Sequence, residues 1–466
     1  MVLQFHNTLT RRKEPFVPRD EGRVGIYLCG PTVYGEPHIG NLRNVVVFDV
    51  LRRHLAASGY QVLYIRNYTD VDDKIINAAD HDPLQAFVVA EHWSRVYDEI
   101  TAALGVLPPD IAPRASGHIP EMLALIARLV DAGVAYQAAG DVYFAVAKWP
   151  EYGKLSGRDP AELLAGARVE VNPDKRDPLD FALWKAQKEG EDTAWDSPWG
   201  RGRPGWHIEC SAMAETILGL DFDIHGGGLD LVFPHHENEI AQTEAGRGRP
   251  LARSWVHNGM VRFGEEKMAK SVGNIRLLSD ALDEFGRDAL IMYFLGGHYR
   301  QPLAFSAESL EQAQRSVERV ANFCRLMRRA PDAVGGQPGE TVATPRDSFF
   351  DALADDFNTP QALAALFALV AEGNRRLQAD ETLPGAAAAM AQMLPVIGLE
   401  RLLEPEEPLA EEAMRLADER EEARRAGEYE RADSIRKELA DRGYEVRDTS
   451  DGPVLVRTRD RSDDGA

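Results

Sequence analysis

The sequence predicts an α/β fold: a parallel-sheet domain with an insertion, followed by an α-helical bundle and a small C-terminal α+β module. Three observations predict it. A short apolar run, Val24 to Cys29, is followed by a loop, a helical pattern and a second strand-like run. Beyond Phe305 the chain becomes a series of long Ala/Leu-rich helical patterns, and beyond Glu404-Pro405-Glu406-Glu407-Pro408 it becomes a charged helix pair ending in two strand-like halves.

The first run ends in Gly30-Pro31 and reads as a buried strand entering a loop. Leu42 to Ala57 has helical spacing, Gly59 is a suitable stop, and Gln61 to Ile65 is strand-like. Strand, loop, helix, strand is the order of a parallel nucleotide-binding sheet, whose ligands lie beyond the carboxyl ends of the strands. Cys29, His38 and Asn67-Tyr68-Thr69-Asp70 are expected to converge there. From about Pro113 to Gly205 the pattern becomes an insertion, with a helix near Pro120 to Ala132 and a strand at Asp141 to Val146. Residues 206–300 return to alternating apolar runs and helices. Ser306 is placed to cap a long helix in which Leu310, Ala313, Val317, Ala321 and Cys324 share a face, making Cys324 a core residue. A Pro/Gly-rich link, Ala330 to Pro345, leads to helices reaching Ile397. Helices over 409–426 and 428–442 precede strands within Tyr444 to Val456, turned at Asp451-Gly452-Pro453.

A chain of 466 residues, 44% hydrophobic, is too long for one ordinary core and implies several packed units. No apolar run approaches the roughly 20 residues needed to cross a bilayer, and the N-terminus lacks an apolar signal segment, so a soluble, unexported protein is expected. Three cysteines, at 29, 210 and 324, cannot form a disulfide framework and suit a reduced compartment, the cytosol. The net charge of −22 excludes a protein that grips nucleic acid with its whole surface. Any RNA contact must be locally basic. Arg315, Arg319, Arg325, Arg328 and Arg329 are one such set, although a solvated helix face is the plainer reading.

Two motifs point to a nucleotide. His38-Ile39-Gly40-Asn41 stands directly before the first predicted helix. A helix N-terminus attracts phosphate, Gly40 permits close approach, and His38 is placed to donate to charge developing on an α-phosphate. Taken alone, Asn41 capping a helix and His38 packing in a loop would account for the same residues. Lys267-Met268-Ala269-Lys270-Ser271 places two lysines three apart on a Gly-flanked loop, suited to neutralising a triphosphate and following charge onto pyrophosphate. A solvated loop explains it equally when isolated, but one adenylate-forming site needs both halves. His38, Asn41, Lys267 and Lys270 are therefore the candidate catalytic residues.

A third constellation suggests a metal. Cys210, His235 and Glu239 join Cys29 as accepted zinc ligands, and His235 and Glu239 lie four apart, on one face if helical. Spacing does not exclude the neighbours His236 and Glu237. His225-Gly226-Gly227-Gly228 with Asp230 could pass beneath adenosine, Gly227 giving close approach and Asp230 accepting from ribose, or could be a structural glycine turn. Trp206 is a candidate wall of a substrate pocket, with Gly30 and Thr69 as further substrate contacts. Asp70, Asp72 and Asp73 invite a Mg²⁺ reading that a polar loop at a strand end explains as well.

Together these residues resemble the cysteinyl-tRNA synthetase family: Cys29-Gly30-Pro31-Thr32-Val33-Tyr34, His38 to Asn41, Thr69-Asp70-Val71-Asp72-Asp73-Lys74, Pro204 to Cys210, Phe233 to Glu239 and Lys267 to Ser271. The likeness extends to Asp356-Phe357-Asn358-Thr359-Pro360 and Ala432-Asp433-Ser434-Ile435-Arg436. It implies a class I synthetase with a Rossmann-type catalytic domain in two halves (1–112 and 206–250), a connective insertion (113–205), a stem-contact region (251–304), a helical bundle (305–400) and an anticodon-binding module (401–466). It also implies Cys29, Cys210, His235 and Glu239 as ligands of one Zn²⁺, and Lys270 as the ATP-contacting lysine. The implied substrates are L-cysteine, tRNA(Cys) and ATP with Mg²⁺; a cytoplasmic monomer with no membrane contact is expected.

Zinc would have a clear purpose there. Cysteine and serine differ by one atom, a difference that a shaped pocket exploits for only ~1–3 kcal/mol, whereas soft sulfur is a far better zinc ligand than a neutral hydroxyl. Two positions depart from the family pattern, Asn41 where His is common and Ala269 where Ser is common. Two alternatives remain. The related cysteine ligase of mycothiol synthesis shares the activation chemistry but lacks an anticodon module, and a zinc- or RNA-binding paralogue would have lost activity.

Overall fold

The chain opens with an antiparallel hairpin, β1 (Gln4–Asn7) and β2 (Arg12–Pro15). The computed structural model describes residues 2–80, 83–158, 173–189, 191, 193–263, 266–267, 278–405, 411–442, 444–449 and 452–457. Two units, 1–403 and 404–466, separate by their internal contacts.

In the first unit, β3 (Arg23–Leu28), α1 (Ile39–Ala57) and β4 (Gln61–Arg66) follow in the predicted order. The helix starts earlier than its apolar spacing indicates. His38 is the N-cap, and its backbone N–H donates to Asn41 Oδ1 at 3.1 Å, so Gly40 and Asn41 lie inside the first turn. Helices α2 (Asp73–Ala78), α3 (Pro83–Ala103) and α4 (Ile119–Asp131) lead to an antiparallel sheet, β5 (Ala135–Ala138), β6 (Asp141–Phe144), β7 (Phe181–Ala186) and β8 (Gly202–Pro204). The chain then returns through α5 (Trp206–Leu218), β9 (Phe222–Gly228), α6 (Glu237–Arg247) and β10 (Ala252–Asn258).

β3, β4, β9 and β10 form one parallel sheet in the order β10-β9-β3-β4. Ile26, Leu28 and Ile224 are fully buried, as expected for strands covered on both faces. The chain leaves β3 toward β4 on one side and later adds β9 on the other. That reversal opens a crevice at the carboxyl ends of β3 and β9, where such sheets bind ligands.

A small sheet follows, β11 (Val261–Phe263), β12 (Glu266–Lys267) and β13 (Leu303–Phe305), interrupted by α7 (Leu278–Phe285) and α8 (Arg287–Leu295). Ser306 caps α9 (Ala307–Arg329), its Oγ accepting the Ser309 N–H at 3.1 Å. Leu310, Ala313 and Cys324 are buried in the core, while Val317 and Ala321 are half-buried against it. The expected link from Ala330 to Pro345 is shorter than predicted. It holds the short α10 (Pro331–Val334), and α11 (Glu340–Ala354) already contains Pro345. Proline costs that helix one backbone bond, and burial of Val342, Phe349 and Leu353 outweighs it. α12 (Thr359–Gln378) and α13 (Ala386–Val396) complete the bundle.

His54, on the inner face of α1, is 2% exposed, meets Phe357 edge-on, and has no partner for either ring nitrogen among the described residues. Burial lowers its pKa to about 4. Between pH 6.5 and 4 the unfolded chain therefore binds the extra proton, and this site should remove about 1.4 kcal/mol of stability per pH unit as pH falls. His54→Leu is expected to flatten the fall in Tm across that window. A fall as steep as in the parent would contradict the assignment.

The second unit packs α14 (Glu411–Arg425) and α15 (Tyr429–Asp441) with the antiparallel pair β14 (Tyr444–Thr449) and β15 (Gly452–Arg457). Its small core includes Leu416, Ile435, Leu439 and Tyr444. Among the described residues no helix is long and apolar enough to cross a membrane.

Candidate active site and metal cluster

Cys29 is the residue after β3, Cys210 lies in the second turn of α5, and His235 and Glu239 flank the start of α6. His235 is not on a regular helix, because Phe233 is extended, yet its ring still reaches the same point as Glu239. All four residues are buried, and one ligand atom from each lies within 4.8 Å of the others. Cys29 Sγ is 3.6 Å from Cys210 Sγ, from His235 Nε2 and from Glu239 Oε1; His235 Nε2 is 3.0 Å from Glu239 Oε1. A disulfide would need sulfurs ~2.05 Å apart, so both are thiols.

The electrostatics suit a cation. A hydrogen bond from Cys29 lowers the Cys210 pKa to about 6 despite burial, while burial drives the Cys29 thiol well up. Burial opposes charge on His235, but Glu239 and Cys210 outweigh it and hold the imidazole at about 10. Glu239 in turn is held well below the usual carboxylate range by His225 and His235, against its own burial. Two thiols, an imidazole and a carboxylate thus converge in a dry pocket, a donor set that fits a tetrahedral divalent metal.

The surroundings bear on which ligands are used. His235 Nδ1 meets His207 Nδ1 at 3.0 Å, an outer contact that turns Nε2 toward the cluster. His225 Nε2 holds the other Glu239 oxygen at 2.8 Å. Glu237 faces away and accepts the N–H groups of Leu155 and Ser156 at 3.3 and 2.7 Å. His236 does not face away. Its Nε2 is 3.3 Å from Cys29 Sγ and its Nδ1 is 2.7 Å from His257 Nε2, so Cys29, His225, His236 and Glu239 make a second set that could hold a metal. His207 and His257 were not singled out from spacing, and His225 was named only as the start of a glycine run, because each sits on a different element and only the fold assembles them at the cluster.

The remaining candidates sort clearly. Trp206 stacks on the His235 ring, centroids 4.3 Å apart, which places it beside the cluster. Gly30 donates its N–H to Asn67 Oδ1 at 2.9 Å, and a Cβ there would collide with the Asn67 carbonyl oxygen. The buried Thr69 hydroxyl donates to Glu209 Oε2 at 3.0 Å. A Cβ at Gly40 would lie 3.0 Å from His38 Nδ1, so the glycine leaves room for that ring. Gly227 is needed for packing, since a Cβ would come within 2.8 Å of His236 and Leu231. Asp230 is exposed, on a short helical turn just after β9.

The carboxylates read as possible Mg²⁺ ligands already have structural partners. Asp70 accepts from the Ser116 backbone at 2.9 Å, Asp72 caps α2 through the Lys74 N–H at 2.8 Å, and Asp73 pairs with Lys185 and Arg203. Three arginines of α9 are likewise engaged: Arg315 pairs with Glu311, Arg319 lies over the Phe367 ring, and Arg328 bonds the Leu402 carbonyl. Lys267 lies on β12, paired in register with Arg262, which brings the second signature's strand beside β11. Its side chain, and Ala269 and Lys270 entirely, lie outside the described residues.

Comparison with known proteins assigns the class. Residues 15–315 match the tRNA synthetases class I (C) catalytic domain, 348–401 the DALR domain, and 406–457 the cysteinyl-tRNA ligase anticodon binding domain. The fold is similar to Mycobacterium tuberculosis methionyl-tRNA synthetase (TM-score 0.59, 15% identity, 82% of this chain and 89% of that one). It is also similar to the Agrobacterium radiobacter LeuRS (TM-score 0.60, 13% identity, 84% and 86%). The chain is a class I aminoacyl-tRNA synthetase, an enzyme. It is 46% identical over 461 residues to cysteine–tRNA ligase of Halalkalibacterium halodurans, covering 97% of this chain and 98% of that protein. It is 49% identical over 470 residues to that of Alkalilimnicola ehrlichii, covering 98% and 100%. The chain belongs to the cysteine–tRNA ligase family.

Proposed function

We propose that this chain activates L-cysteine with ATP, taken as its Mg²⁺ complex, to cysteinyl-adenylate and pyrophosphate, and transfers cysteine to the 3′ end of tRNA(Cys). The observation that carries the substrate choice is the buried Cys29–Cys210–His235–Glu239 cluster at the carboxyl end of β3, in the crevice where the adenylate would form. Those four residues would hold Zn²⁺, which when bound supplies a direct bond to the substrate thiolate that a serine hydroxyl cannot match.

The rest is done by the chain's own groups. Trp206 and the cluster orient the amino acid. His38, at the N-terminus of α1, donates to charge developing on the α-phosphate as the cysteine carboxylate attacks. Lys270, seconded by Lys267, stabilises charge passing onto pyrophosphate; no covalent enzyme intermediate is needed. Asn41 supports the site by holding the His38 backbone. Gly40 and Gly227 keep the backbone close, and Asp230 is placed to accept from ribose. Gly30 and Thr69 line the amino-acid end.

We divide the chain as catalytic halves 1–112 and 206–250, insertion 113–205, stem-contact region 251–304, helical bundle 305–400 and anticodon module 401–466. The antiparallel sheet between β4 and β9 and the division after Leu403 support that reading. A single chain supplies every candidate residue, consistent with a monomer, and its free thiols suit the cytoplasm.

ATP–pyrophosphate exchange driven by cysteine and then by serine, followed by tRNA charging, tests the whole reading. Strong exchange with cysteine, little with serine, and acylated tRNA are expected. Exchange without tRNA acylation would favour the aminosugar ligase, and bound zinc with no exchange an inactive paralogue.

A further inference from the structure

Arg43, five residues beyond His38 on α1, has no place in the chemistry above, yet it is 0% exposed. Its described hydrogen bonds all end on main-chain carbonyls: Nη1 donates to Gly259 at 2.9 Å and Met260 at 3.4 Å, and Nη2 to His298 at 3.0 Å. No carboxylate pairs with it among the described ion pairs, and burial lowers its pKa only to about 10, so it is charged at neutral pH. A buried cation without a counter-ion is costly, and an apolar side chain would fill the space more cheaply. The guanidinium fork is therefore retained for what it joins.

It joins two backbone segments. Gly259 and Met260 lead directly into β11 and so to β12, which carries Lys267. His298 begins a strap, residues 298–302, that leads into β13, the other neighbour of β11. The segments also bond each other, Gly259 N–H to the Tyr299 carbonyl at 2.7 Å and Leu303 N–H to the Met260 carbonyl at 2.9 Å. A Cβ at Gly259 would collide with the Gln301 carbonyl.

The far side of the strap is also held. Asp356, at the corner between α11 and α12, accepts from Tyr299 Oη at 2.9 Å and from Arg300 at 3.0 and 2.6 Å. It accepts the His6 N–H at 2.8 Å as well, with its own backbone in the left-handed region at φ 61°. The strap is a fixed footing, and Arg43 ties α1 to it.

We propose that Arg43 is a positioning residue for adenylate formation: it sets the helix that begins at His38 against the root of β11 and the strap before β13, so that His38 is held where it addresses the triphosphate. This rests on the reaction proposed above. Lysine cannot replace it, because one ammonium lacks the rigid fork that spans two segments.

The test compares R43K and R43M with the parent in the full-length, zinc-loaded protein. Both should lower kcat for cysteine-dependent exchange by about 10- to 100-fold, the scale expected when reacting groups are slightly misplaced. KM for cysteine and zinc content should be unchanged, since Arg43 touches neither. If R43M fails to fold, R43K decides the matter. A parent-like kcat in R43K overturns the positioning role and leaves the proposed reaction intact. A fall in kcat accompanied by a raised cysteine KM and a lowered Tm overturns it in favour of a purely structural role. No exchange in the parent overturns both.

Discussion

Cys210→Ala should hold no tightly bound zinc, against about one ion per chain in the parent, and should lose at least ~10²-fold in kcat/KM for cysteine. Metal content would be read by elemental analysis of protein dialysed against a weak chelator, and activity by pyrophosphate exchange. The size of the effect follows from what remains: without the cluster, cysteine must be told from serine by shape, worth only ~1–3 kcal/mol. Preference for cysteine over serine should therefore collapse along with the rate. Metal retention should also weaken as pH falls through the neutral range in the parent, because the Cys29 thiol and the His235 imidazolium must both shed a proton to bind the ion.

The same measurements choose between the two overlapping ligand sets. If His235 is the ligand, His235→Ala removes the metal, while His236→Ala weakens binding by only about 10- to 100-fold, as loss of an outer contact does. If the set through His225 and His236 were used, the order would reverse. The His207 contact on His235 Nδ1 favours the first outcome, because it leaves Nε2 aimed into the cluster.

What could be read in the sequence was what depends on local pattern. The strand ending at Cys29, the helix after His38 and the Ser306 cap all follow from short-range periodicity and turn chemistry, and the structure places each within a few residues. That Cys29, Cys210, His235 and Glu239 belong together was legible only as a set of compatible donors. Choosing His235 over its neighbours was not, because residues four apart share a face only on a helix and the chain at Phe233 is extended. Glu237 is set aside by residues some eighty positions earlier, Leu155 and Ser156, which no spacing rule reaches. Arg43 was invisible for a related reason. Leu42, Val45, Val46, Val47 and Phe48 mark α1 as buried on most of its surface, and an arginine among them carries no sign of which carbonyls it will find.

Lys270→Ala is expected to lower kcat for cysteine-dependent exchange by ~10²–10³, the usual cost of removing one donor aimed at transition-state charge. His38→Ala should approach it, and Lys267→Ala should cost less, since Lys267 is held on β12 and Lys270 stands three residues further along the signature. KM for cysteine and zinc content should stay near the parent values in all three, because in the proposed reaction the amino acid would be held at the metal cluster, by residues on other elements. That separation makes the result informative. A group that only helped bind ATP would raise the KM for ATP and leave kcat alone, whereas one acting on charge that develops during the reaction lowers kcat. Exchange undiminished in Lys270→Ala would remove the second signature from the chemistry. It would leave the N-terminus of α1, with the His38 ring given room by Gly40, to stabilise the α-phosphate alone.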